Sequence, residues 1–278
     1  MPIILPSSVK KARKNTRKAR GIKPPRPVRK RYTDALLQLT QILKDNNLKI
    51  SELFMSTNDQ VRVMEFSRQL YKQAQQEFDD ASQALANSYV SDLDQTHKTR
   101  YQNMIKGALG VDFATMIDDE GLRGVLNKSI AENVDLIESI PKLHHDRVTK
   151  AVRDHFDGNL SQGLPARLKE IGGMSDTKAR FIARDQTASI VGMLSESRSK
   201  EVGIKSYNWR NSQDRRVVGN PSGLYPRGNR KHMDHWHREG KEFAYDKPPK
   251  DGNPGRAINC RCYDEPVIKI NELNAVYV

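Results

Sequence analysis

From Asn58 to Tyr89 the chain contains neither glycine nor proline, and Val61, Met64, Leu70, Tyr71 and Phe78 recur on roughly one side of a run otherwise rich in Gln, Glu, Lys and Arg. A stretch so free of breakers, apolar on one face and polar on the other, folds as a long amphipathic helix. The pattern continues from Ser91 to Ile105, and Gly107 and Gly110 mark its end. Packing against neighbouring helices is the simplest use of the apolar stripe, with partner binding as the alternative.

Shorter helical patterns flank this one. Leu36, Leu39 and Leu43 stand at helical spacing between Tyr32 and Leu43, ahead of a polar break at Asp45, Asn46 and Asn47. Beyond Asp112 the spacing predicts helices over Asp118–Ile140, Lys142–Phe156, Pro165–Ile171 and Asp176–Lys200, divided by Pro141, by a turn around Gly163 and by Gly172 and Gly173. Ser175 ahead of Asp176 has the chemistry of a helix start. Near Val202 the texture changes to a short strand-like run over 203–209, then to a Gly-, Pro- and Asn-rich stretch through Pro254. The expected fold class is mainly α, an elongated helical body with a small C-terminal α/β, loop-rich module. In linear order the expected blocks are a basic arm (1–31), an elongated helical region (32–110), a second helical region (111–174) and the C-terminal module (175–278).

Charge is distributed unevenly. The 278 residues carry 47 Lys and Arg against 34 Asp and Glu. Lys10, Lys11, Arg13, Lys14, Arg17, Lys18, Arg20, Lys23, Arg26, Arg29, Lys30 and Arg31 meet no acid in the first 31 residues, and setting these twelve aside leaves a nearly neutral body of 35 against 34. An arm so charged, and interrupted by Pro24, Pro25 and Pro27, is expected to be disordered when free and to contact the phosphates of double-stranded DNA without reading sequence. The alternatives are contact with an acidic protein, a solubilising tail or a targeting peptide. No run of about 18 apolar residues exists, and MPIILP lacks the layout of a secretory signal, so no membrane partner is expected and the protein reads as intracellular or assembly-borne.

The C-terminal module concentrates the unusual chemistry: Asp214, Arg215, Arg216, His232, Asp234, His235, Trp236, His237, Cys260 and Cys262. His235, His237, Cys260 and Cys262 together offer two imidazoles and two thiolates to a tetrahedral structural zinc. The H-x-H and C-x-C spacings are tighter than the usual finger pairs and require the backbone to turn. A mixed site from Cys260 and Cys262, one of His232, His235 or His237, and Asp214 is a second arrangement, and a metal-free knot of buried polar groups is a third. His144, His145 and His155, with no cysteine beside them, are expected on the surface or at an interface. No H-E-x-x-H, Walker loop or G-x-S-x-G is present, so the expectation is a protein that is not an enzyme and has no catalytic residues. The rival is a nuclease using Asp214, its neighbouring arginines and the histidines, although those arginines have a structural alternative in pairing with Asp214.

Five pieces of this sequence occur in a telling order: F-I-A-R-D-Q-T at 181–187, W-R-x-x-x-D-R-R at 209–216, V-V-G-N-P-S-G-L-Y-P at 217–226, H-W-x-R-E-G-K-x-F at 235–243 and P-G-R-A-I-N-C-R-C at 254–262. Together they make the C-terminal hundred residues resemble the phage Mu gpF-like head morphogenesis family of minor capsid proteins. The family motif falls on Arg184, Thr187, Trp209, Asp214, Arg216, His235, Gly240, Pro254, Gly255, Cys260, Arg261 and Cys262, with 217–231 as a longer version of the connecting loop. The resemblance implies a late, virion-associated minor head protein, present in host cytoplasm during assembly, that docks on portal or major capsid protein and contacts DNA. The alternatives are a virion-associated metal-dependent nuclease and a portal adaptor that does not bind DNA.

Overall fold

The computed structural model describes residues 3–5, 7, 15–110, 122–227, 234–273 and 275–277. Across them the protein is mainly helical, with long helices followed by a small, loop-rich sheet module. The helices are α1 (Arg26–Thr57), α2 (Gln60–Leu109), α3 (Arg123–Phe156) and α4 (Leu164–Glu201). Contacts divide the chain into two compact units, one of residues 27–89 and 129–184 and the other of 1–26, 90–128 and 185–278. The units are assembled from separated stretches, unlike the four linear blocks expected.

Local chemistry explains the helix ends. Pro25 precedes α1 and Pro27 occupies its first turn, where a missing N–H costs nothing. Asn58 takes a left-handed φ of 44° and closes α1, its N–H bonding the Phe54 carbonyl. Asp59 then caps α2, accepting from Arg62 N at 3.1 Å. The breaker-free run becomes one 50-residue helix, ended by Gly110 at φ 73°.

Two expected divisions are absent. Pro141 does not separate two helices but lies inside the 34-residue α3. Buried among Ile137, Ile140 and His144, it is held by packing that outweighs its lost hydrogen bond. Gly172 and Gly173 likewise lie within the 38-residue α4. A Cβ at Gly172 would meet the Lys44 side chain at 2.9 Å, so this glycine allows close approach to α1 and does not end a helix. Ser175 and Asp176 are therefore mid-helix, with Asp176 accepting from Thr40 at 2.6 Å and Lys44 at 3.1 Å.

The unit of residues 27–89 and 129–184 packs Ile50, Val63, Leu70, Val148, Val152, Leu164, Leu168 and Ile171 into one apolar core. Tyr32 stacks on Tyr89 at 3.7 Å, and its hydroxyl donates to Asn133 at 2.9 Å. His144, expected near the surface, is buried because both ring nitrogens are satisfied: Nδ1 lies 2.9 Å from Ser175 Oγ and Nε2 lies 3.0 Å from Asn47 Oδ1. His145 is half-buried, stacked on Tyr71 at 4.3 Å, and His155 packs edge-on against Phe54 at 4.8 Å.

The other unit carries a four-stranded antiparallel sheet in the order β2 (Thr16–Lys18), β5 (Tyr263–Lys269), β3 (Ser206–Arg210), β4 (Glu242–Ala244). A separate parallel pair joins β1 (Ile3–Leu5) to β6 (Ala275–Tyr277). β5 is seated by Asp264, a fully buried carboxyl that accepts from the Tyr245 hydroxyl and whose pKa burial raises to about 6. No helix of the described residues is long and apolar enough to cross a membrane.

Burial pushes the His144 pKa down to about 4, with His145 and Arg147 adding to the effect. Its neutral ring then contributes stability that is fully present above the unfolded pKa of about 6.5 and is lost as pH falls toward 4. Urea unfolding should show about 2 kcal/mol less stability at pH 5 than at pH 7 from this group. The pH-dependent loss should shrink by that amount in His144→Gln.

Candidate metal centre

Turns, more than strands, build the site. Cys260 ends a tight turn in which its N–H bonds the Ala257 carbonyl at 2.9 Å and Asn259 adopts φ 59°. The Asn259 N–H is tied to Asp185 at 2.5 Å. Just upstream, Gly255 has φ 87°, and a Cβ there would collide with the Ala188 carbonyl, while one at Gly192 would collide with that of Pro254. The 254–255 loop therefore lies flat on this part of α4, which delivers Cys260 to a fixed position. Cys262 follows directly and leads into β5.

His235 arrives from the other side of the module. Trp236 N bonds the Val218 carbonyl at 3.0 Å, Gly240 N bonds the Trp209 carbonyl at 2.8 Å with φ 74°, and Asn211 Nδ2 reaches the His235 carbonyl at 3.3 Å. Asn211 is itself fixed by Glu239, which accepts its N–H at 2.6 Å and pairs with Arg210 at 3.0 Å.

The result is one imidazole and two thiols whose donor atoms lie within 4.8 Å of one another, all three residues buried. His235 Nδ1 stands 3.6 Å from Cys260 Sγ and 3.4 Å from Cys262 Sγ. Its Nε2 faces Asp251 Oδ2 at 2.9 Å, and Asp251 is held in turn by Arg238 at 2.7 Å. A carboxylate on Nε2 places the ring proton there and leaves the Nδ1 lone pair facing the two sulfurs, the outer support typical of a ligating histidine.

The sulfurs sit in a donor-rich pocket. The N–H groups of Gly255 and Cys262 both point at Cys260 Sγ, each at 3.4 Å. Among the described residues the buried Trp209 Nε1–H meets no acceptor in hydrogen-bond geometry, and as a neighbour of Cys262 it favours that residue's thiolate form. Cys262 and His235 hold the Cys260 thiol well below its usual pKa despite burial, whereas burial pushes Cys262 up. Burial opposes the His235 imidazolium, but Cys260 and Asp251 outweigh it and hold that pKa above the ordinary value. Donors aimed at sulfur without a full counter-charge are the environment of a metal-thiolate centre. The three residues thus form a metal-ligand cluster compatible with a structural metal site.

Not every expected ligand joins it. His237 is exposed and turns away to Asp234 at 2.7 Å. A two-residue step along a turn sends its ring to solvent, so the H-x-H pair does not act together. Asp214 pairs with Arg261 at 3.2 Å and accepts the Arg216 N–H at 2.9 Å, a turn-closing role that keeps it from the cluster. His232 lies outside the described residues. Asp251, Arg238, Asn211 and the Trp209 N–H complete the site and carry almost no local sequence signal. Only the Asp251–Gly252 turn pair hinted at structure there, since contacts across such sequence distances leave no local pattern.

Of the other motif residues, Thr187 and Trp209 serve the module's frame, whereas Arg184 belongs to the helical unit. Thr187 is fully buried, Trp209 is buried edge-on to His235 at 5.1 Å with Arg238 over its ring at 4.8 Å, and Arg184 lies over Phe181 at 5.8 Å. Of the basic arm, Lys10, Lys11, Arg13 and Lys14 lie outside the described residues. From Asn15 onward the expectation of disorder is overturned. Arg17 and Lys18 belong to β2, Arg20 and Lys23 to an extended segment, and Arg26, Arg29, Lys30 and Arg31 to α1. Buried Ala19, Ile22 and Val28 anchor this stretch, and Lys30 meets Asp34 at 2.6 Å.

No family model matches the chain, and no solved structure does. An uncharacterized protein of Haemophilus influenzae (strain Rd KW20) is 33% identical over 199 residues, covering 70% of this chain and 41% of the relative. The chain thus spans about two fifths of the length of the relative it matches.

Cobalt(II) titration of the purified chain should give a thiolate-to-metal absorption band. Asp251→Asn should weaken cobalt binding about tenfold to a hundredfold by releasing His235, and His237→Ala should leave it unchanged.

Proposed function

We propose that this chain is a minor head protein of the gpF-like kind, in which a zinc ion held by His235, Cys260 and Cys262 fastens the C-terminal module as a docking element for portal or capsid protein. Zinc–sulfur bonds of about 2.3 Å and zinc–nitrogen bonds of about 2.0 Å put neighbouring tetrahedral nitrogen and sulfur ligands about 3.5 Å apart. The His235–sulfur distances of 3.4 and 3.6 Å support zinc on that measure. When bound, the ion would supply cross-linking between the His235 turn and the start of β5.

The observation that carries an assembly role over turnover is where the motif residues fall. Gly240, Pro254, Gly255, Trp209 and Thr187 close turns or pack, and the three ligands are each under 10% exposed, a poor place for a polymer substrate. Loop-rich modules with few large apolar residues need such a fastener. The part of the basic stretch that precedes Asn15 supports non-specific contact with double-stranded DNA by its charge alone. The virion is the proposed location.

One observation favours the nuclease reading. Among the described residues the cluster offers three protein ligands, and three ligands with an open fourth position is the pattern of catalytic zinc. The two readings part on variants. As a fastener, Cys262→Ser or chelation lowers Tm by about 10 °C, the effect of losing several kcal/mol of metal-linked folding energy, and supercoiled plasmid stays intact with zinc, magnesium or manganese. Metal-dependent cleavage abolished by His235→Ala in a chain of unchanged Tm is the result that replaces the assembly reading with the nuclease.

A further inference from the structure

We propose that a cleft in the unit that holds the metal cluster binds single-stranded nucleic acid, with backbone phosphates seated on Arg20, Lys23 and Arg100. The cleft encloses about 1000 Å³ between the 19–23 segment, the last turns of α2 and the start of β5. Its size exceeds what a single phosphate needs and reaches the upper end of ordinary ligand pockets. A compact space of that volume is about 10 Å across, too narrow for a duplex whose major groove alone is about 12 Å wide.

Charge supplies the selectivity. Arg20, Lys23 and Arg100 are exposed and, among the described residues, make no ion pair. Among the described residues that line the cleft the one acid, Glu265, is already engaged by Arg210 at 2.8 Å. The cations are also held in place. Arg100 Nη1 donates to the Lys23 carbonyl at 3.1 Å, and Lys23 Nζ sits 5.4 Å over the Tyr263 ring. Gly21 lets the segment press against β5, because a Cβ there would collide with the Asp264 carbonyl. Fixed, uncompensated cations beside an aromatic ring form the usual platform for a flexible strand of phosphates and bases. Arg100 comes from α2, 77 residues away from Lys23, so no basic run in the sequence reveals it.

The inference uses residues beyond the stretch before Asn15 proposed to contact duplex DNA, and needs neither the metal nor a role in the phage head. The test is fluorescence anisotropy of a labelled twelve-nucleotide oligo-dT, and of a duplex of equal length, on the full chain across a salt series. Arg100→Glu and Lys23→Gln should each weaken oligo-dT binding, the former about tenfold or more, and flatten its salt dependence. Arg62→Glu, an exposed charge change in the other unit, should leave it unchanged, with thermal melts confirming that all three fold. Failure to bind oligo-dT, or binding that Arg100→Glu and Lys23→Gln leave intact, overturns the cleft. Duplex binding indifferent to both substitutions then leaves the arm's DNA contact standing alone. Binding of anionic lipid vesicles in preference to oligo-dT also overturns the proposal.

Discussion

The contact between His235 and the two cysteines ties the His235 turn to the start of β5 through side chains buried in the loop-rich module. The described residues between 211 and 262 are mostly turns and loops, and their order depends on a few polar anchors and on glycines that permit close backbone approach. Asp251 fixes the ring of His235, Arg238 fixes Asp251, and Arg238 also covers Trp209, whose indole N–H faces the sulfur side. Without the imidazole, the Asp251 carboxylate and the buried Cys260 and Cys262 thiols lose a shared partner.

The helical unit follows a different logic. Its core is continuous and apolar, and the buried polar groups within it are paired in sets such as His144 with Ser175 and Asn47. Such sets rigidify and register helices that apolar packing alone would allow to slide. Folding of this unit depends on pH through His144, whose pKa burial lowers to about 4.

Much of the helical fold is legible in the sequence because helix signals are local. The breaker-free run from Asn58 onward specifies α2 by itself, and Asn58 with Asp59 carries the chemistry of its start. Pro141 and Gly172 mislead for the same reason: both look like breaks locally, and only packing against other helices shows why each is tolerated. At the site, the residue types were legible and the geometry was not. Cys260, Cys262 and His235 stand out by type, but whether His235 or His237 turns inward depends on Asn211, Glu239 and Asp251, partners up to 28 residues distant. The basic arm shows the opposite error, since a high charge density hid Ala19, Ile22 and Val28, the few apolar residues that anchor it.

The central claim is that His235, Cys260 and Cys262 ligate one metal ion in the folded chain. X-ray absorption at the zinc edge, on full-length protein purified without added metal, tests it most directly. The account predicts one zinc per chain with a first shell of two sulfurs at about 2.3 Å and nitrogen at about 2.0 Å. A folded chain free of metal, or a metal shell without sulfur, would contradict it.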